Sequence, residues 1–92
     1  MNHSDNFYVK MGTLLCTYAA MASVTYREVA SELSISEATY SKVWKGASRN
    51  FDYYRAVYLY IYQDLPKDWQ RERMTHDFLK LFLSRDIITN NK

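Results

Sequence analysis

Apolar residues recur along this chain at helical spacing. Phe7, Met11, Leu14, Leu15, Tyr18 and Met21 fall three or four apart, apart from one adjacent pair, and draw a single stripe on a helix. The pattern predicts a first helix over 7–22, capped at its start by Asp5 or Asn6. A loose tail is expected over 1–6.

Next comes Thr25 with Glu28 three residues on, the spacing of a capping box. A short second helix should follow, turn Val29, Ala30 and Leu33 inward, and stop near Leu33. Ser36 is placed to cap a third helix whose inward positions are Tyr40, Val43 and Trp44, ending at Gly46 in a left-handed turn. Asn50 caps a fourth, with Phe51, Tyr54, Val57, Tyr58 and Ile61 as its buried stripe. Pro66 suits the first turn of a fifth helix. There Leu65, Trp69, Phe78, Leu81 and Phe82 are expected to face the core, and the helix should fade near Arg85. Residues 86–92 read as a tail.

Composition agrees with an all-helical reading. Two glycines and one proline in 92 residues are few interrupters, which suits helices better than strands and turns. At 48% apolar the chain is long enough for one domain with a modest core. The single cysteine, Cys16, has no partner for an internal disulfide and reads as a small buried helix residue. No apolar run reaches the roughly 18 residues of a membrane span. The start of the chain lacks the basic-then-apolar order of a secretory signal, so the expected location is cytoplasmic.

The net charge of +2 says little by itself, but its distribution says more. Over 41–55, Lys42, Lys45, Arg49 and Arg55 stand against Asp52 alone, while charges elsewhere nearly cancel. The basic excess thus sits on and just after the third helix.

Two short helices joined by Ser34, Ile35 and Ser36 form a helix-turn-helix. In that motif the first helix lies across the DNA backbone and the second enters the major groove, where side chains distinguish all four base pairs. It needs a small residue at the crossing (Ala30), an aliphatic in the turn (Ile35) and an apolar inner seal (Val29, Leu33, Val43).

Thr25, Glu28, Ala30, Leu33, Ile35, Ser36, Val43 and Gly46, in register, resemble the lambda-repressor-like (Cro/Xre) helix-turn-helix family, and 50–52 resembles the start of that family's fourth helix. The likeness covers about half of the chain. Ser34 stands where glycine is usual, the first helix is less basic than is common, and the chain continues into an amphipathic segment beyond the usual core. The resemblance implies a five-helix, all-α, lambda-repressor-like domain over 7–64, with a C-terminal amphipathic helix over 65–85 that completes the core or dimerises.

It also implies function. Base contacts would fall to Ser36, Glu37, Ala38, Thr39 and Lys42. Lys42 suits guanine O6 and N7, Glu37 suits cytosine N4, Ala38 suits a thymine methyl and Thr39 a base or phosphate. Tyr26, Arg27, Lys45, Ser48 and Arg49 would touch phosphates. A homodimer on a two-fold operator would be anchored by Trp69, Phe78 and Phe82. The function implied is a sequence-specific regulator of transcription, of the Cro-repressor or antitoxin type, acting on double-stranded DNA.

A second function class stays open: a protein-interaction module, adaptor or antirepressor, on the same scaffold without DNA binding. Glu37 in a groove position and the crowding of five of the nine tyrosines onto helix 4 favour it. Tyr54 and Tyr58 are expected in the core, and Tyr53, Tyr60 and Tyr62 at a surface or an interface, so a protein partner would dock on helix 4 or 5. No catalytic constellation is recognisable. His3 and His76 read as surface residues, no metal-ligand spacing or phosphate loop is present, and no cofactor or small-molecule substrate is expected.

Overall fold

A computed structural model describes the backbone of residues 3–90 and the side chains of residues 7–84. It is all-helical over that span, with five helices: α1 (His3–Ala22), α2 (Tyr26–Glu32), α3 (Glu37–Trp44), α4 (Phe51–Asp64) and α5 (Asp68–Asn90). None is long and apolar enough to cross a membrane. The long α1 is the spine, packing against α3, α4 and α5, while α2 leans on α3 and α3 on α4.

The helix starts follow from their caps. The Thr25 hydroxyl accepts the Glu28 N–H at 3.1 Å and the Glu28 carboxylate accepts the Thr25 N–H at 2.9 Å, which completes the capping box. Ser36 Oγ takes the Thr39 N–H at 3.0 Å and Asn50 Oδ1 takes the Asp52 N–H at 3.0 Å. At α5 the relation is inverted: Gln70, almost fully buried, accepts the Lys67 N–H at 3.2 Å.

The first three helices end in one motif. A left-handed residue follows each: Ser23 (φ 57°), Ser34 (φ 55°) and Gly46 (φ 76°). In each case the next N–H reaches back five residues, from Val24 to Ala19, Ile35 to Ala30 and Ala47 to Lys42. This is the Schellman ending, which satisfies carbonyls that the helix leaves open. Ser34 therefore makes the left-handed bend without being glycine.

The core runs through α1 (Phe7, Met11, Leu15, Tyr18), α2 and α3 (Val29, Ala30, Tyr40, Val43), α4 and its end (Tyr54, Val57, Ile61, Leu65) and α5 (Met74, Phe78). Its tightest contact involves both glycines. A Cβ on Gly12 would run into the Trp44 carbonyl, and one on Gly46 would lie 2.5 Å from Val9 Cα. There α1 and α3 cross backbone to backbone.

Several expectations are corrected. Helix α1 begins at His3, not Phe7, because each residue added to a formed helix gains a hydrogen bond. Residues 3–6 therefore do not belong to a tail, and residues 1 and 2 lie outside those described. Helix α5 starts two residues after Pro66 and runs to Asn90, so of the expected tail over 86–92 only residues 91 and 92 lie outside the described backbone. Cys16 is exposed, since the inward row passes through Leu15 and Tyr18 and Cys16 sits about 100° round from Leu15. Trp69 is exposed because Gln70 and Met74 occupy the inward row at that end of α5. Phe51 is exposed at the first turn of α4, its ring 6.0 Å from that of Phe82. Leu14, Met21, Leu33 and Tyr58 are only half-buried, and so are Tyr53, Tyr60 and Tyr62, all packed against the core edge.

Candidate functional site

Helix α3 is held from below and open above. Tyr40 and Val43 are buried, and Trp44 is half-buried against the α1 crossing. On the other side Glu37, Ala38, Lys42 and Lys45 are exposed. The spacing of 38, 42 and 45 puts those three on one face of the helix, and Glu37 flanks them at its N-terminus.

The Ser36 hydroxyl is already occupied. It accepts the Thr39 N–H and donates to Thr39 Oγ1 at 2.9 Å, which also engages the Thr39 hydroxyl. Lys42 makes no ion pair among the described residues and reaches into solvent from the last turn of α3. Glu37 faces Arg27 across the α2–α3 corner, with Nε and Oε2 3.7 Å apart and both side chains open to water. Solvent screens such a pair, so it is worth less than about 1 kcal/mol and yields easily to another partner.

Tyr26 is tied to the same corner. Its hydroxyl donates to the Glu37 carbonyl at 3.0 Å, and its ring meets Tyr40 edge-on with centroids 5.1 Å apart. Beneath it, burial pushes the Tyr40 phenol up to about 12. Tyr26 thus serves first as a brace between α2 and α3.

The other end of α3 carries the second cationic group. Arg49 donates to the Gly46 carbonyl at 3.2 Å and stacks on the Tyr8 ring at 5.2 Å. Lys45 Nζ lies over the Trp44 ring at 5.6 Å, and the indole N–H beneath is buried with no acceptor among the described residues. Ser48 is half-buried. Its Oγ accepts the Asn50 N–H at 3.2 Å, and its carbonyl accepts the Tyr54 hydroxyl at 2.8 Å.

Of the residues singled out in the sequence, the structure brings 36–39 together with Tyr26 and Arg27 at the start of α3. Lys42 lies in the last turn of α3, and Lys45, Ser48 and Arg49 follow at and just beyond that other end. Negative charge collects elsewhere: burial raises the Tyr60 phenol, and the carboxylates of Asp64, Glu28 and Glu32 add to the rise. Tyr8 and Gly12 of α1 are contributors that the sequence reading missed. Their roles depend on a contact more than thirty residues away, and no local pattern signals it.

Trp69 does not share a surface with Phe78 and Phe82, which both line the groove between α4 and α5. Phe78 is buried under Tyr58, with ring centroids 4.8 Å apart. Phe82 is half-buried against Phe7 at 5.5 Å, and Trp69 stands alone in the first turn of α5. A phenylalanine spent in the core of one chain is not free to anchor another.

Comparison with known protein families, with curated proteins and with solved structures finds no match for this chain.

Proposed function

We propose that the protein is a sequence-specific, double-stranded DNA-binding regulator of transcription that reads the major groove with α3, in the manner of a lambda-repressor-like helix-turn-helix. The observation that carries this reading is the mounting of α3. A Schellman bend at Ser34 and a backbone crossing at Gly12 and Gly46 fix the helix, while its outer face offers Ala38, Lys42 and Lys45 to solvent. Such a helix fits the width of the major groove. Lys42 is the residue best placed to read a base, as an exposed cation in the last turn of α3 with no ion pair among the described residues. Arg27, released from its weak pair with Glu37, and Lys45 supply phosphate contacts that set register. Glu37 repels phosphate and disfavours sequences that give it no amino group to accept from.

The test is selection from a random duplex library at two salt concentrations, with wild type and Lys42→Ala in parallel. Wild type should enrich a defined site with an affinity that falls steeply with salt. Lys42→Ala should relax preference at one base position by roughly 1–3 kcal/mol. Enrichment of nothing at low salt would overturn the reading and leave a protein-interaction module as the function to pursue.

A further inference from the structure

Helices α4 and α5 both rest on α1 and meet each other through ring contacts, with a groove of about 370 Å³ between them. That volume falls within the roughly 300–1,000 Å³ of small-molecule sites. The groove reaches the core, since Met11 lines it and is only 1% exposed. Five of its lining residues are aromatic: Phe51, Tyr54, Tyr58, Phe78 and Phe82. Phe51, Leu59 and Leu79 stand half open along its edges.

The polar groups of the groove are few and of one kind. Arg55 lines it from α4, one turn from Phe51 on one side and from Leu59 on the other. Its side chain is exposed and makes no ion pair among the described residues. From α5, Thr75 sets its hydroxyl 3.3 Å from that of Tyr58. Whichever of the two donates, the hydrogen of the other remains for an acceptor. None of the described lining residues is acidic.

We propose that this groove is a binding site for a small aromatic carboxylate, with the ring body between the aromatic walls and the carboxylate on Arg55. The site goes beyond the DNA-binding reading and does not depend on it. The sequence carries no motif for it, because the groove joins residues of three helices. Its walls select the body of the ligand, since ring faces and edges pack best against another ring, offset or edge-on. Its charge selects the head group. A guanidinium with no anion of its own takes a carboxylate in fork geometry, and the spare hydroxyl hydrogen adds a donor. An amine in the same place meets no acid to neutralise it and is repelled by Arg55. Covering the half-open edges supplies the apolar part of the affinity.

The experiment is titration of the full chain with 2-naphthoate and, separately, with 2-naphthylmethylammonium, followed by NMR of the side-chain methyl groups. Wild type should bind the acid saturably at one site, with a Kd of about 0.1–1 mM. It should prefer the acid to the amine by about fivefold. The methyl signals of Met11, Leu59 and Leu79 should move, while that of Met21, at the far end of α1, stays in place. Arg55→Gln should abolish the preference and Arg55→Glu should reverse it. Both change an exposed side chain and should keep wild-type helicity, and should one fail to fold, the other decides. An acid that does not saturate the chain by about 5 mM overturns the proposal. So do methyl shifts away from the groove, or an Arg55→Gln variant that keeps the wild-type preference. A chain that refuses the acid and has twice the mass of 11.0 kDa in solution overturns it too, and gives the groove to a second copy.

Discussion

Replacing Ser34 with glycine should stabilise the protein, whereas replacing Gly46 with serine should destabilise it by more. The two residues hold the same place in the same helix ending, with φ of 55° and 76°. A left-handed backbone costs an L-residue roughly 1–2 kcal/mol. Glycine escapes that cost but gives up roughly 0.5–1 kcal/mol more backbone freedom on folding. The net gain for Ser34→Gly is therefore about 0.5–1 kcal/mol, a rise in Tm of roughly 2–8 °C for a chain of this size. For Gly46→Ser the same balance reverses and a steric cost is added. The new Cβ would lie 2.5 Å from Val9 Cα and 2.6 Å from Val9 N, atoms that move only if α1 moves. Overpacking of that kind costs typically 1–3 kcal/mol, so the total is about 2–4 kcal/mol. Thermal and urea unfolding followed by far-ultraviolet circular dichroism would measure both, with the urea slope checking that the unfolded state is unchanged. A Gly46→Ser variant within 0.5 kcal/mol of wild type would refute the backbone crossing, and a destabilised Ser34→Gly would refute the left-handed bend.

Thr25→Ala removes the hydroxyl that accepts the Glu28 N–H and should cost about 1 kcal/mol, with Thr25→Asp restoring most of it in the same urea titration. Stability should also fall as pH rises from about 10 to about 12. Tyr18, raised to about 12 by burial and then by Asp77, and Tyr40, raised to about 12 by burial, keep their protons in the folded state over a range where the unfolded chain releases them. Their contribution is complete below pH 10 and is lost through that window. Tyr40→Phe should flatten part of the decline, and an unchanged slope between pH 10 and 11 would rule Tyr40 out as a source.

Much of the fold is legible because its signals are local. Thr25, Ser36 and Asn50 each announce a helix by standing just ahead of an apolar row, and all three cap as their positions suggest. The α1 stripe is readable for the same reason. What escaped depends on partners distant in sequence. Nothing near Gly12 says that a carbonyl of α3 will lie against it. The register of α5 departs from the apolar pattern at Trp69, a large apolar residue that the fold leaves in water. Gln70 goes inward instead, where its amide accepts the Lys67 N–H that has no cap of its own. Of the candidate site, the exposed positions on α3 follow from the 3.6-residue period. The engagement of Ser36, Thr39 and Tyr26 with their own neighbours does not, since a hydroxyl's partner is chosen only once the corner between α2 and α3 exists.

The crossing at Gly12 and Gly46 separates two kinds of change. Helix α3 is held in place by main-chain atoms and by the side chains beneath it, and the side chains of Ala38 and Lys42 on its outer face take no part in that anchoring. Those two positions are free to vary without moving the helix that displays them, whereas either glycine is nearly irreplaceable. If α3 reads DNA as proposed, descendants of this chain could therefore acquire a new target by exchanging a few surface letters, at almost no cost in foldability, so long as both glycines are inherited intact.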